Sequence, residues 1–179
     1  MLTVGDRFPE FQLKAVLPGD DSQGRIDELG SRDHQDEWRV FFFYPKDFTF
    51  VCPTELKGFA DLHGDFRDRD AVLISGSTDS EFVHRAWRES HEDLRGLPYA
   101  MLADINKDLA QALGILDEEG VCRRATFIVD PDGFIRYASA HDGSVGRNPA
   151  EVLRVLDALQ TDELCPCNWQ PGEETLQVG

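Results

Sequence analysis

A three-layer α/β fold with a mixed central sheet is what this chain predicts, and three features of the sequence carry the prediction. Two nearly continuous apolar runs, 38–44 and 71–77, read as strands buried on both faces. After them come segments with apolar residues at three- and four-residue steps, the spacing of helices that pack one face on a sheet. Nearer the C-terminal end, 125–130 and 134–138 flank Pro131-Asp132-Gly133, a hairpin by its turn chemistry. Strands that alternate with helices and are followed by a hairpin place parallel and antiparallel pairs in one sheet.

Each element follows in order. Residues 1–10 carry Gly5 and Pro9 and read as a loop, and 11–17 alternate as an edge strand or hairpin would. Residues 18–37, rich in Gly, Asp, Ser and charge, read as a surface excursion. Strand 38–44 ends at Pro45, which has no N–H for a ladder bond. Leu56, Phe59, Leu62 and Phe66 then mark one helix face. Strand 71–77 leads to Asp79 or Ser80 as the cap of a helix bearing Phe82, Ala86 and Trp87. Leu97-Pro98 breaks the chain before a strand at 99–103, and a short helix over 106–113 closes at Gly114. After the hairpin, Val152, Leu153, Val155, Leu156 and Leu159 give an amphipathic helix over 150–159. Beyond Thr161 the periodicity stops. The division expected is a domain over 1–160 and a C-terminal tail over 161–179, mobile or packed on a partner.

The chain has 179 residues, a length for one domain that buries roughly 70% of its unfolded surface. No run approaches the roughly 20 apolar residues of a membrane span. The start has neither the basic nor the apolar segment of a signal peptide, so a cytoplasmic location is expected. Eighteen basic against thirty-four acidic residues give a formal charge of −16, which repels nucleic-acid backbones and anionic membranes. Cysteines stand at 52, 122, 165 and 167, too few and too scattered for a disulfide scaffold. Cys165-Pro166-Cys167 lacks a second pair at finger spacing, and the histidines at 34, 63, 84, 91 and 141 show no ligand spacing, so no metal is expected. His84, three residues before Trp87, reads as a packing residue. Cys122 reads as a small buried hydrophobe.

Cys52 stands at the junction of the aromatic strand and the helix that follows. Unpaired N–H groups and the positive end of the dipole at a helix start favour a thiolate, which makes Cys52 a candidate nucleophile. In an acidic chain that thiolate needs a nearby cation. Thr49-Phe-Val-Cys52 occupies the place where a thioredoxin-like protein carries Cys-x-x-Cys, with a hydroxyl replacing the first thiol. Local dithiol chemistry is thereby excluded, and general thiol–disulfide exchange is disfavoured. A single thiolate beside a hydroxyl suits attack on a peroxide oxygen, which leaves a sulfenic acid.

The segment from Pro45 to Glu55, Pro-Lys-Asp-Phe-Thr-Phe-Val-Cys-Pro-Thr-Glu, resembles the P-x-x-x-T-x-x-C motif of the peroxiredoxins. It is most similar to the alkyl hydroperoxide reductase C branch, in its actinobacterial form with a Cys-x-Cys-Asn-Trp tail. Asp79-Ser-Glu-Phe, Thr126-Phe-Ile-Val-Asp-Pro131, Gly143-Ser-Val-Gly-Arg-Asn148 and Glu163-Leu-Cys-Pro-Cys-Asn-Trp169 fall in the family's order, so the resemblance spans nearly the full chain. It implies a thioredoxin-like three-layer fold, no cofactor, and a two-cysteine peroxidase reducing hydrogen peroxide and organic hydroperoxides. By resemblance Cys52 is the peroxidatic cysteine, Thr49 orients the peroxide, Pro45 shields the sulfur, and Arg124 supplies the cation. Glu55 and Arg147 resemble a pair that holds Arg124, a surface ion pair being the competing reading.

Cys165 matches the resolving cysteine, which in the family comes from a partner subunit and closes an intersubunit disulfide. Cys167 is an auxiliary thiol or a spare one. The implied partners are a hydroperoxide and a protein disulfide reductant, whether thioredoxin, a flavoprotein reductase or a lipoyl-linked adaptor. Homodimers assembled into rings are implied as well. The family also includes redox-switched chaperones and peroxide sensors, the alternative function. One departure stands out: Asp93-Leu-Arg-Gly-Leu-Pro98 replaces the Gly-Gly-Leu-Gly loop of the hyperoxidation-sensitive branch, and no Tyr-Phe helix follows Trp169.

Overall fold

The structure, a computed structural model, describes residues 1–177 apart from Asp20 and Ser22. Its centre is a seven-stranded sheet in the order β2-β1-β5-β4-β3-β6-β7. β3 (Trp38–Phe43) and β4 (Ala71–Ser77) are parallel, as are β4 and β5 (Ala100–Ala103). β6 (Arg124–Val129) runs antiparallel to β3 and pairs with β7 (Ile135–His141) in the hairpin that the Pro-Asp-Gly turn predicts. Gly133 at its corner has φ +87°, a conformation that costs other residues strain. On the far side β1 (Gln12–Leu17) runs antiparallel to β5 and to β2 (Arg25–Gly30).

β2 corrects the reading of 18–37 as a surface excursion. Its six residues pair in unbroken register from Leu17↔Arg25 to Gln12↔Gly30. As an outer strand with mostly exposed side chains it needs little apolar content, and Ile26 and Leu29 alone gave no alternation to detect.

The pleat of β3 builds both cores. Val40, Phe42 and Tyr44 face one cluster with Leu56, Phe59, Phe66, Trp87, Val152 and Leu156. Those residues come from α1 (Cys52–Asp61), α2 (His63–Arg67), α3 (Glu81–Ser90) and α5 (Pro149–Gln160). Phe41 and Phe43 face the other cluster, closed by Leu109, Ala110 and Leu113 of α4 (Asp108–Leu113) and by Phe8 of the N-terminal segment. Helices on both faces make the three layers. The single helix expected from Leu56 to Phe66 is broken at Leu62, whose N–H bonds back to Phe59 in a tight turn, so α1 and α2 are separate.

Caps set the helix starts beside the site. Ser80 Oγ accepts from the Val83 N–H of α3, and Asn148 Oδ1 accepts from Ala150 and Glu151 of α5, with Pro149 as first residue. The tail is laid on α5. Trp169 is buried, Arg154 of α5 donates to its carbonyl oxygen at 2.9 Å, and a bridge joins Leu164 to Leu176. Among the described residues no helix is long and apolar enough to cross a membrane.

Phe59 ties α1 to the sheet, its ring stacked on Phe42 at 3.9 Å between centroids. Removing that ring leaves a cavity in a closed core, so Phe59→Ala is expected to lower the unfolding free energy by about 3–5 kcal/mol in urea titrations. Phe82→Ala, on the exposed side of α3, is expected to change it by less than about 0.5 kcal/mol.

Candidate active site

The parallel strands β3, β4 and β5 end on the same side of the sheet, where Tyr44 leads into the loop that delivers α1. Cys52 is the first residue of α1, buried with 1% of its surface exposed. No side chain caps this helix: the preceding residue is Val51, and Pro53 has no N–H to satisfy. The first turn is closed by Thr54 and Glu55 N–H groups bonding back to the Val51 carbonyl.

Opposite the sulfur stands Arg124, the first residue of β6. Its Nη1 donates to Cys52 Sγ at 3.2 Å and to Glu55 Oε2 at 2.7 Å. The third contact is Nε to the Gly143 carbonyl at 2.9 Å, so one guanidinium joins α1, β6 and the loop after β7. Burial works against its charge, but the hydrogen bond to Cys52 and the charge of Glu55 outweigh it and keep the guanidinium ionised.

Glu55 is the hub. It lies one helical turn after Cys52 and takes Arg124 on one side and Arg147 on the other. Arg147 Nε donates to Oε1 at 2.9 Å, Nη2 to Oε2 at 3.0 Å, and the Arg147 backbone N–H to Oε1 at 2.9 Å. The remaining Nη1 donates to the Ala125 carbonyl and Thr126 Oγ1 of β6. Burial pushes the Glu55 carboxyl up, yet the hydrogen bonds and charge of Arg147, with Arg124 behind it, hold it below the usual carboxylate range. The side chains of Glu55 and Arg147 are 2% and 1% exposed, so the pair is internal and the surface reading is set aside. Asn148, as the cap of α5, fixes the backbone that carries Arg147.

Two guanidinium groups and one carboxylate leave this cluster with one uncompensated positive charge beside Cys52 Sγ. A thiolate would make it neutral. That is the electrostatic requirement the acidic composition sets for a reactive cysteine.

Pro45 and Thr49 lie on the loop approaching Cys52. Both are partly exposed, and the Thr49 hydroxyl donates to the Lys46 carbonyl at 2.8 Å rather than to the sulfur. Cys165 is not brought to Cys52. Its sulfur sits at the C-terminal end of α5, 3.4 Å from Thr161 Oγ1 and 3.8 Å from the Ala158 carbonyl, and Cys167 is exposed. All four cysteines are free. Burial pushes the Cys122 thiol far up, consistent with a packing role. Among the described residues no group of three or more His, Cys, Asp or Glu is placed to hold a metal.

Sequence reasoning missed the polar network beneath the loop. Asp47 is buried, accepts from Tyr44 Oη at 2.7 Å, and pairs with His84 Nδ1 at 2.7 Å. His84 is thus more than a packing residue. Asp47 was visible in the Pro-Lys-Asp-Phe approach, but nothing in the sequence joins it to a histidine on another element.

Comparison with known proteins agrees with this architecture. Residues 4–138 match the model of the AhpC/TSA family, and residues 159–178 match that of the C-terminal domain of 1-Cys peroxiredoxin. The chain is 53% identical over 186 aligned positions to alkyl hydroperoxide reductase C of Mycobacterium tuberculosis, covering 100% of this chain and 95% of that protein. Among solved structures it resembles Mycobacterium tuberculosis AhpC, with a TM-score of 0.88 at 52% identity over 95% of this chain and 99% of that one. A reduced 2-Cys peroxiredoxin of Plasmodium vivax superposes with a TM-score of 0.91 at 28% identity, over 98% of this chain and 93% of the other. A buried cysteine at a helix start, held against an arginine in a thioredoxin-like sheet, therefore sits in a chain that belongs to the AhpC/TSA family of peroxiredoxins.

Proposed function

We propose that the chain is a thiol-dependent peroxidase that reduces hydrogen peroxide and organic hydroperoxides through Cys52. The observation that carries the reading is the unbalanced positive charge that Arg124, Arg147 and Glu55 place at Cys52 Sγ. In the reaction the Cys52 thiolate attacks the distal peroxide oxygen. A sulfur–oxygen bond forms, the oxygen–oxygen bond breaks, and the leaving oxygen takes a proton to depart as alcohol or water. Arg124, already at hydrogen-bond distance from the sulfur, is the donor positioned to steady the charge that passes from sulfur to the leaving oxygen. Thr49 orients the bound peroxide once its hydroxyl turns from the Lys46 carbonyl, and Pro45 keeps water from the sulfur.

The sulfenic acid on Cys52 is resolved by Cys165 of a partner subunit: its thiol attacks the sulfur, water leaves, and an intersubunit disulfide remains. Residues 161–179 act as the arm that carries Cys165 and the auxiliary thiol Cys167, and residues 1–160 as the peroxidase domain. Cys52 is buried and α1 lacks a side-chain cap, so the first turn of α1 opens for that exchange. A protein dithiol of the thioredoxin, flavoprotein reductase or lipoyl-linked adaptor type then reduces the disulfide. Exposed Phe48 and Phe50 on the active-site loop support self-assembly of homodimers into rings.

Peroxide consumption and non-reducing gels test the roles together. Cys52→Ser is expected to abolish turnover and the disulfide-linked dimer. Cys165→Ser is expected to consume one equivalent of peroxide without forming the dimer. Peroxide loss by Cys52→Ser at the parental rate would overturn the assignment.

Arg124→Met, which keeps the aliphatic stem, is expected to lower the second-order rate with peroxide by about 100- to 1,000-fold in stopped-flow measurements.

With Asp93-Leu-Arg-Gly-Leu-Pro98 in place of a Gly-Gly-Leu-Gly loop beside the first turn of α1, the sulfenic acid is expected to be resolved before it oxidises further. Intact-mass analysis during turnover at low peroxide excess should therefore find no sulfinic form of Cys52.

A further inference from the structure

We propose that the end of the sheet opposite Cys52 carries a second site, a cleft lined by Arg7, Arg32 and Arg39 that takes a phosphate dianion, free or as the head of a small phosphomonoester. The inference is independent of the peroxidase reading. β3 leads through Tyr44 toward Cys52 at one end and begins beside this cleft at the other, with Arg39 as its second residue. Three further segments meet there: the chain before β1, the turn between β2 and β3, and the Pro131-Asp132-Gly133 corner of the hairpin. They enclose about 200 Å³. Pockets for drug-sized ligands run from roughly 300 to 1,000 Å³, so this one is sized for a small ion rather than a nucleotide.

Arg39 anchors the cleft. It is 5% exposed, and its hydrogen bonds go to neutral carbonyls: Nη1 donates to Ser31 O at 3.1 Å and Nη2 to Asp130 O at 3.0 Å. The buried Nε has no partner. A guanidinium has five N–H groups, so most of this one's donors are unspent. The Asp130 carboxylate is engaged elsewhere, accepting the Phe134 N–H at 2.8 Å and Arg136 Nη1 at 3.2 Å. Arg124 and Arg147 share Glu55, but Arg39 has no such counter-ion. Burial pulls it below the usual arginine range, with only the charge of Asp130 working against the fall. A buried charge without a partner is costly, and an oxyanion in the cleft supplies the partner.

The other two arginines are set in place by backbone. Arg7 bridges to Phe134, its guanidinium carbon lies 4.6 Å from that ring's centroid, and Nη1 donates to the Asp132 carbonyl at 3.1 Å. A Cβ on Gly133 would stand 3.2 Å from that nitrogen, so the glycine leaves room for it. Arg32 comes from the turn after β2, which is closed by the Gly30 N–H donating to Asp33 Oδ2 at 2.7 Å. Among the described residues none of the three arginines is paired with a carboxylate, in a chain with thirty-four acidic residues. Two carboxylates do border the cleft, Glu10 and Asp132, both exposed and neither joined to an arginine. Three guanidinium groups against these two leave one positive charge. Their planar forks match the oxygens of a phosphate.

Calorimetric titration of the full chain with inorganic phosphate, in chloride at constant ionic strength, is expected to show one saturable site per chain. Methyl phosphate separates the two sources. Equal binding of both compounds shows that the cleft admits phosphomonoesters, and binding of inorganic phosphate alone assigns it to the free ion. Either result supports the site. Arg39→Gln is expected to weaken phosphate binding about 10- to 100-fold, the loss that accompanies a charged hydrogen bond. Arg7→Ser combined with Arg32→Ser changes only exposed side chains and should weaken it about tenfold. Glu10→Gln removes a repelling charge and should tighten it.

No saturation by about 10 mM phosphate in the parent protein would overturn the inference. So would an unchanged affinity in the Arg7→Ser, Arg32→Ser protein, or weaker binding in Glu10→Gln. The surface variants decide the matter even if Arg39→Gln does not fold. Peroxide consumption in the Arg7→Ser, Arg32→Ser protein should keep the parental rate, since the cleft and Cys52 lie at opposite ends of β3.

Discussion

Everything at the reactive end of the molecule depends on a single buried carboxylate. Glu55 is buried between two guanidinium groups, and each arginine is tied to a different part of the chain. Arg124 brings the start of β6 and the Gly143 carbonyl, while Arg147 brings the cap of α5 and the edge of β6. Deleting Glu55 would strand two guanidinium charges in the interior, at a cost of about 3–5 kcal/mol. The same constraint places the spare positive charge beside Cys52, so folding and chemistry are not separable here.

The loop preceding Cys52 has the opposite character. Its Asp47 is held by three hydrogen bonds, with Tyr44, His84 and Asp79, whereas the helix it leads into begins without a side-chain cap. A fixed approach is thus joined to an uncapped helix start. The charge cluster and the Asp47–His84 pair share no residue, so the arginines and the loop are held by independent sets of contacts.

Local chemistry made much of this legible in advance. The runs of β3 and β4, the Pro-Asp-Gly hairpin, the cap at Ser80 and the strand-to-helix position of Cys52 each follow from a few adjacent residues. β2 escaped because an outer strand carries little apolar signal, and the break at Leu62 escaped because the apolar spacing continues through it. Arg124, Glu55 and Arg147 were reached by resemblance, since 69 and 92 residues separate Glu55 from its two partners and no local pattern links them. The Asp47–His84 pair, 37 residues apart, lay beyond both routes.

The tail of the chain is fastened to α5 through Trp169, whose indole is buried, donates to the Glu173 carbonyl, and lies two residues beyond Cys167. The protein has only two other tryptophans, Trp38 on β3 and Trp87 on α3, both within the sheet-and-helix body. The segment bearing the tail thiols therefore carries its own chromophore, in a medium it would exchange for water on leaving the helix. Tail and body are optically distinct, so any departure of the tail from α5 would register in the light the protein emits.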